Sequence, residues 1–366
     1  VGPRVPGPGE PPPAAVSLGD SFSSGEAGRW LGNATNPAGA RSGTDRAYAA
    51  GGYDPSLVYL PPSDANGCHR SDVAPIRSAG LAGLAGLEVV NLACSGALTG
   101  HVRAAASGGA VHNGEAPQAD QLAELAATRA VALVTVQVGG NDLGYADIIA
   151  QCAVAYVIGA GPCNGVRASL VRRQLPAVRA RVAEALASVR AAAPEARLVL
   201  ETYASPVPRA ADARYPESGF RRLLEGGCPF YDADLTWARD SLTPLLADAL
   251  AEVAAAQSVE LLDLRHALDG REVCARSSAL VGQQGPDPSR SEWARFVTTG
   301  LGQGDRVESL HPNAFGQAAI GRCLALLWER RPGRAWTCRP APGRGPEAMV
   351  LTPADSGPTA IPRIAS

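Results

Sequence analysis

Four short blocks of the chain carry residue types that could do chemistry together. In "SLGDSFSSG" an apolar run ends at Leu18, and Ser21 follows among small residues. "ACSGALTG" sets Gly96 in a turn, "VGGNDLGY" sets Asn141 behind two glycines, and "ESLHPNAFGQ" sets His311 just before Pro312. Gathered in one place, these residues would supply a hydroxyl, an uncrowded backbone N–H, an amide side chain and an imidazole. Ester hydrolysis needs this set. A serine hydroxyl is a weak nucleophile until a base takes its proton, and the tetrahedral oxyanion needs preorganised donors. Glycine at 96 lets a substrate approach a backbone donor closely. Singly, each residue has a plainer reading. Ser21 would be a cap at a strand-to-helix turn, a job open to Ser23 and Ser24 as well; Gly96 would be a turn glycine and Asn141 an Asx-turn residue.

The blocks act together only if the fold gathers them. Five segments are short, aliphatic and β-branched and end at turn signals, which predicts buried parallel strands. They are "AAVSL", "LEVVNLA", "VALVTVQV", "ARLVLETY" and "VELLDL". Between them lie helical patterns, among them "SLVRRQLPAVRARVAEALASVRAAAP", "DLTWARDSLTPLLADALAEVAAAQ" and "NAFGQAAIGRCLALLWERR", the last with Asn313 as its N-cap. Alternation of strand and helix predicts a three-layer α/β/α sandwich around a mainly parallel, five-stranded sheet. Ligands of open α/β sheets bind at the carboxyl ends of the strands. The loops after the first three strands, carrying Ser21, Gly96 and Asn141, should therefore share one crevice.

The four blocks, in this order and each at a strand or helix end, resemble those of the GDSL lipase/esterase family, also called SGNH hydrolases. The likeness runs from Ala14 to about Leu326 and is nearest to the secreted actinobacterial branch, whose first block is similar to "GDSFSSG". It implies a flavodoxin-like fold, Ser21 as nucleophile, and an oxyanion hole made by the Ser21 N–H, the Gly96 N–H and the Asn141 side chain. It further implies His311 as general base, then as acid for the leaving alcohol, with Asp20 bracing the turn by hydrogen bonding. The family often places an acid three residues before the histidine. Glu308 holds that position here, with Asp305 as the next candidate, and a carboxylate there would orient the imidazole and stabilise the imidazolium. Some secreted members use a backbone carbonyl instead, and a Glu308 pointing into solvent would leave its own carbonyl to orient the imidazole.

The bulk numbers set the frame. The 366 residues carry a formal net charge of -2, all 33 basic residues are Arg, and 46% of the chain is hydrophobic. That balance permits a sizeable core and offers nucleic acid no general basic surface. No apolar run approaches the ~20 residues that span a bilayer. The chain reads as a Pro-rich extension (1–13), a single domain (14–339) with loop insertions near 142–165 and 265–308, and a loosely ordered tail (340–366). The only Met is Met349 and no signal segment opens the sequence, so the expectation is a processed, exported chain. Eight cysteines, Cys68, Cys94, Cys152, Cys163, Cys228, Cys274, Cys323 and Cys338, form no C-x-x-C pair. Sequential pairing would close a modest loop each time and fit a secreted protein; buried free thiols in a cytosolic enzyme are the competing reading. No metal or cofactor is expected. His69, His101, His112 and His266 lack a partnered motif and read as surface or packing residues.

The function expected is a secreted, monomeric serine carboxylic-ester hydrolase acting on an ester or lipid, phospholipids included. An acyltransferase or lactone-processing enzyme would use the same Ser–His chemistry. A carbohydrate-deacetylating esterase and a non-catalytic binding protein are the remaining alternatives.

Overall fold

The structure, a computed structural model, describes residues 9, 11–34, 43–300 and 303–354. Strands β1 (Pro13–Gly19), β2 (Glu88–Asn91), β3 (Ala130–Gln137), β4 (Arg197–Glu201) and β5 (Glu260–Asp263) are the five foreseen from apolar runs. They pair in parallel in the order β2-β1-β3-β4-β5. Side chains alternate across this sheet, as strand geometry requires. Val16, Val134 and Leu198 pack with Val182, Leu186 and Leu250 on one face. Ala15, Leu133, Val199 and Leu262 pack with Ile320 and Leu324 on the other. The first face is covered by α4 (Asn164–Ala192) and α5 (Thr243–Ala256), the second by α6 (Ala314–Trp328). Asn313 caps α6 by accepting from Phe315 and Gly316 N–H.

Two expectations need correction. The sheet has seven strands, not five. Strand β6 (Ala335–Pro340) lies parallel to β5, and β7 (Met349–Pro353) returns antiparallel along β6. Residues 340–353 are therefore not a loose tail. Met349 and Leu351 are buried in the layer below α6, and the Cys323–Cys338 disulfide ties β6 to that helix. Such a bridge across 15 residues is worth about 3 kcal/mol in the chain-entropy account. Residues 355–366, and most of the Pro-rich start, lie outside the described residues. The pattern before α5 also breaks. Pro244 has no N–H to donate, and the helix widens into a π turn over Ala238–Leu242 just ahead of it.

The cysteines pair sequentially, 68–94, 152–163, 228–274 and 323–338. The first bridge joins the segment after β1 to the end of β2, and the second closes the insertion after β3. No described helix is long and apolar enough to cross a membrane.

Candidate active site

Strand β1 is buried along its whole length and ends at Gly19, where φ is +132°. A Cβ there would lie 2.1 Å from the Gln137 carbonyl oxygen of β3, so only glycine fits. Gln118, at the start of α2 (Gln118–Ala126), clamps the same residue from both sides: it accepts from Gly19 N–H at 2.7 Å and donates to Gly19 O at 2.8 Å. The chain then turns into a four-residue helix, α1 (Ser21–Ser24), capped by Asp20, whose carboxylate accepts from Phe22 N–H. Ser21 is the first residue of that helix and is 6% exposed.

His311 Nε2 lies 2.6 Å from Ser21 Oγ, although 290 residues separate them. The approach depends on the turn before the histidine. Leu310 has φ +60°, an unusual conformation for a bulky residue. It is held there by Leu310 N–H to Arg295 O at 2.9 Å and Arg295 N–H to His311 O at 2.8 Å. With the chain reversed in this way, the Ser309 carbonyl lies 3.2 Å from His311 Nδ1. A carbonyl oxygen only accepts, so Nδ1 carries the ring proton and the Nε2 lone pair faces the serine hydroxyl.

The Glu308 carboxylate does not reach the His311 ring, contrary to its expected place as the orienting acid; the bond between the two residues is through the backbone, Glu308 O accepting from His311 N–H at 3.2 Å. The side chain does not point into solvent either. The carboxylate is 1% exposed and turns inward. It meets Arg29 Nε at 3.0 Å and accepts from Trp30 Nε1 at 3.1 Å, Tyr59 OH at 3.0 Å and Asp305 N–H at 3.0 Å. Asp305 is thus part of the Glu308 turn rather than a partner of the imidazole. The carbonyl at hydrogen-bond distance from the ring is that of Ser309, not the Glu308 carbonyl expected from the sequence.

The other two blocks converge on the same place. Asn141 Nδ2 donates to Ala97 O at 3.0 Å, joining the loop after β3 to the loop that carries Gly96. Asp142 reinforces the link, accepting from Thr99 N–H at 2.9 Å and Thr99 Oγ1 at 2.6 Å. Among the described residues no acceptor takes the N–H of Ser21 or of Gly96. Gly96 has φ +77° and is exposed, as an open backbone donor needs to be.

A cavity of about 380 Å³ opens beside the Ser21–His311 pair. Asp20, Ser21, Asn141 and His311 stand at its polar end. Thr298, Thr299 and Arg306 also line it, and the rest of the lining is largely aliphatic. Ala146, Ile149, Ala150, Ala153 and Val154 come from α3 (Tyr145–Val157) in the insertion after β3, and Val297, Val307 and Leu310 come from the long segment before α6. Phe220 and Tyr231, aromatics of the segment after β4, are not part of this lining. Phe220 is 72% exposed, and Tyr231 packs edge-on against Tyr156.

Tyr203, at the end of β4, had no motif to reveal it. Its hydroxyl donates to Asp20 Oδ2 and accepts from Gly140 N–H at 3.1 Å. Its ring meets Phe22 edge-on at 5.2 Å, and Phe22 in turn lies 4.9 Å from the His311 ring. A Cβ on Gly140 would come within 3.0 Å of the Tyr203 ring, which accounts for the second glycine of "GGN". Burial pushes the Asp20 carboxyl up to about 7, against the pull of the Tyr203 hydrogen bond. Among the described residues one group of three has metal-ligand spacing: Cys152, Cys163 and Asp234. Its sulfurs are tied in a disulfide, and Asp234 accepts from Cys163 and Asn164 N–H at the start of α4.

Burial lowers the His311 pKa from its ordinary 6.5, with the negative charge of Glu26 working in the opposite direction. Were His311 the general base, it would work when neutral, and activity would be gained as pH rises through this lowered pKa. The acid limb of kcat/KM on a soluble ester is expected below pH 6.5, and an inflection above 7 would contradict this environment for His311.

Fold and site together define an ester hydrolase. The chain belongs to the GDSL-like lipase/acylhydrolase family, whose profile matches residues 17–319. Among solved structures it is similar to phospholipase A1 from Streptomyces albidoflavus, at 21% identity and TM-score 0.53, covering 87% of this chain and 100% of that one. It is also similar to an extracellular lipase from Streptomyces rimosus, at 22% identity and TM-score 0.51, covering 86% and 98%. No curated protein matches it in sequence.

Proposed function

We propose that this chain is a secreted serine hydrolase of lipid or fatty-acid esters that works through an acyl-Ser21 intermediate. The observation that carries the reading is the 2.6 Å contact between His311 Nε2 and Ser21 Oγ at the mouth of an aliphatic cavity. In acylation, Ser21 Oγ bonds to the ester carbonyl carbon while His311 Nε2 takes its proton. The oxyanion is received by the Ser21 and Gly96 N–H groups and the second hydrogen of the Asn141 amide. The carbon–alkoxy bond then breaks, and His311 returns the proton to the departing alcohol. Water repeats the sequence on the acyl-serine, releasing the acid. Ser309 O orients the imidazole throughout, so the unit is a Ser–His dyad with a carbonyl support.

Lipid esters are favoured by the wall of Ile149, Ala153, Val154 and Val297, which offers an acyl chain contact but no hydrogen bonds. The likeness to a phospholipase A1 and an extracellular lipase supports the same class. Four disulfides support export to an oxidising compartment. A series of p-nitrophenyl esters of increasing chain length tests the pocket assignment. Ala153→Phe fills part of the wall and is expected to shift the preferred acyl chain shorter by several carbons, with short-ester turnover kept within about threefold. An unchanged chain-length profile would place the acyl group elsewhere.

A further inference from the structure

The Gly96 N–H belongs to the peptide whose carbonyl is that of Ser95, and that carbonyl has a partner. His112 Nε2 lies 2.8 Å from Ser95 O, and since the oxygen only accepts, Nε2 carries the proton and donates. The ring also lies against the glycine itself: a Cβ at Gly96 would stand 3.6 Å from His112 Nε2. The rest of Ser95 is pinned from other directions. Its N–H donates to Cys68 O at 3.1 Å, and its Oγ donates to Glu26 Oε2 at 2.7 Å. Glu26 is fully buried, and His69 Nδ1 lies 2.8 Å from the same oxygen.

His112 is itself held. Its ring stacks on His101 at 4.3 Å with 9° between the planes, and His101 Nδ1 accepts from Leu98 N–H at 3.0 Å, so the two rings bracket residues 95–98. The turn carrying His112 is closed by paired backbone hydrogen bonds with Glu115. Glu115 is anchored to Asn66 Nδ2 at 2.7 Å and Arg70 Nη1 at 2.9 Å, and Arg70 Nε donates to Ala93 O at the base of the same loop.

We propose that His112 is a positioning residue for catalysis: its Nε2–H fixes and polarises the Ser95–Gly96 peptide so that the Gly96 N–H is aimed at the oxyanion. The physical reason is twofold. A hydrogen bond to an amide oxygen strengthens the donor at the other end of that amide. It also sets the peptide plane, and a donor contributes to transition-state stabilisation only when aimed where charge develops. The inference rests on the proposed oxyanion role of Gly96.

The test compares two replacements in the full chain. His112→Phe keeps a ring to stack on His101 and removes the donor; His112→Gln keeps a donating N–H near the position of Nε2. On a soluble short-chain p-nitrophenyl ester, His112→Phe is expected to lose roughly ten- to a hundredfold in kcat, part of the loss that follows removal of a whole oxyanion donor. KM stays within about twofold, since substrate binding precedes oxyanion formation. Inhibition by an alkyl boronic acid, whose tetrahedral adduct uses the same donors, weakens in parallel. His112→Gln is expected to restore most of the kcat. The inference is overturned if His112→Phe turns over like the parent, or if both variants lose activity only in proportion to a lowered melting temperature. Ser21→Ala, assayed alongside, separates the two levels. An inactive Ser21→Ala beside a fully active His112→Phe removes the role of His112 alone, and an active Ser21→Ala removes the site reading and this inference with it.

Discussion

Replacing Ser21 by alanine is expected to lower kcat on p-nitrophenyl esters by roughly 10⁴- to 10⁶-fold, the range met when a serine hydrolase loses its nucleophile. The fold should survive. Among the described residues Ser21 Oγ has one polar contact, to His311, and the turn around it is held by other groups: Asp20 capping α1, Gln118 clamping Gly19, and Tyr203 bridging Asp20 to Gly140. The melting temperature is therefore expected to change by no more than a few degrees. Neither Ser23 nor Ser24 can substitute. Ser23 Oγ is engaged with Gln137 and Ser24 Oγ with Ser21 O, and neither lies against the imidazole. Residual activity within tenfold of the parent would require a different nucleophile.

Glu308→Gln separates two accounts of the histidine's support, with opposite signatures. If Glu308 were the acid of a triad, losing its charge would cost on the order of 10⁴ in kcat, as in the serine-protease example of an Asp-to-Asn change. The structure instead pairs Glu308 with Arg29 in a site where both side chains are 1% exposed. Burial opposes the charge on Arg29, and Glu308 first, then Asp45, raise its pKa above the ordinary value. Among the described residues, removing the charge at 308 leaves the guanidinium with Asp45, at 3.6 Å, as its anionic partner and the neutral Tyr53 hydroxyl as an acceptor. Breaking a buried pair from one side typically costs about 3–5 kcal/mol. The expected result is a clearly lowered melting temperature, with kcat per folded molecule within a few-fold of the parent. Thermal unfolding and active-site titration on one preparation give both numbers. A stable protein with a collapsed kcat would restore Glu308 to the catalytic unit.

The contrast between Ser21 and Glu308 shows what was legible in the chain. The five central strands announced themselves as apolar, β-branched runs, because strands buried on both faces have no polar alternation to hide them. The meeting of the loops that carry Ser21, Gly96 and Asn141 was legible because parallel topology sends every strand's carboxyl end to one edge; His311, which precedes α6, was placed with them only through the resemblance of its block. Glu308 was misjudged for the same reason that its neighbours were invisible. Its partners Trp30 and Tyr59 are 278 and 249 residues away, and only the folded chain shows that they enclose it. The left-handed turn at Leu310 carries no signature either, since leucine is a poor residue for it and tertiary hydrogen bonds to Arg295 impose it. Strands β6 and β7 escaped notice because "AWTCRP" and "MVLTP" are short segments beside Pro- and Gly-rich sequence. His112 was passed over because its partner is a backbone carbonyl, which leaves no trace in a motif.

The central claim is that an acyl group resides on Ser21 during turnover. Labelling with a fluorophosphonate ester, then peptide mapping by mass spectrometry, tests this directly. The phosphonyl group should form one adduct, on the peptide that holds Ser21, with loss of activity in step with labelling. The Ser21→Ala protein should remain unlabelled. An adduct on any other residue, or complete labelling that leaves hydrolysis intact, would contradict the account.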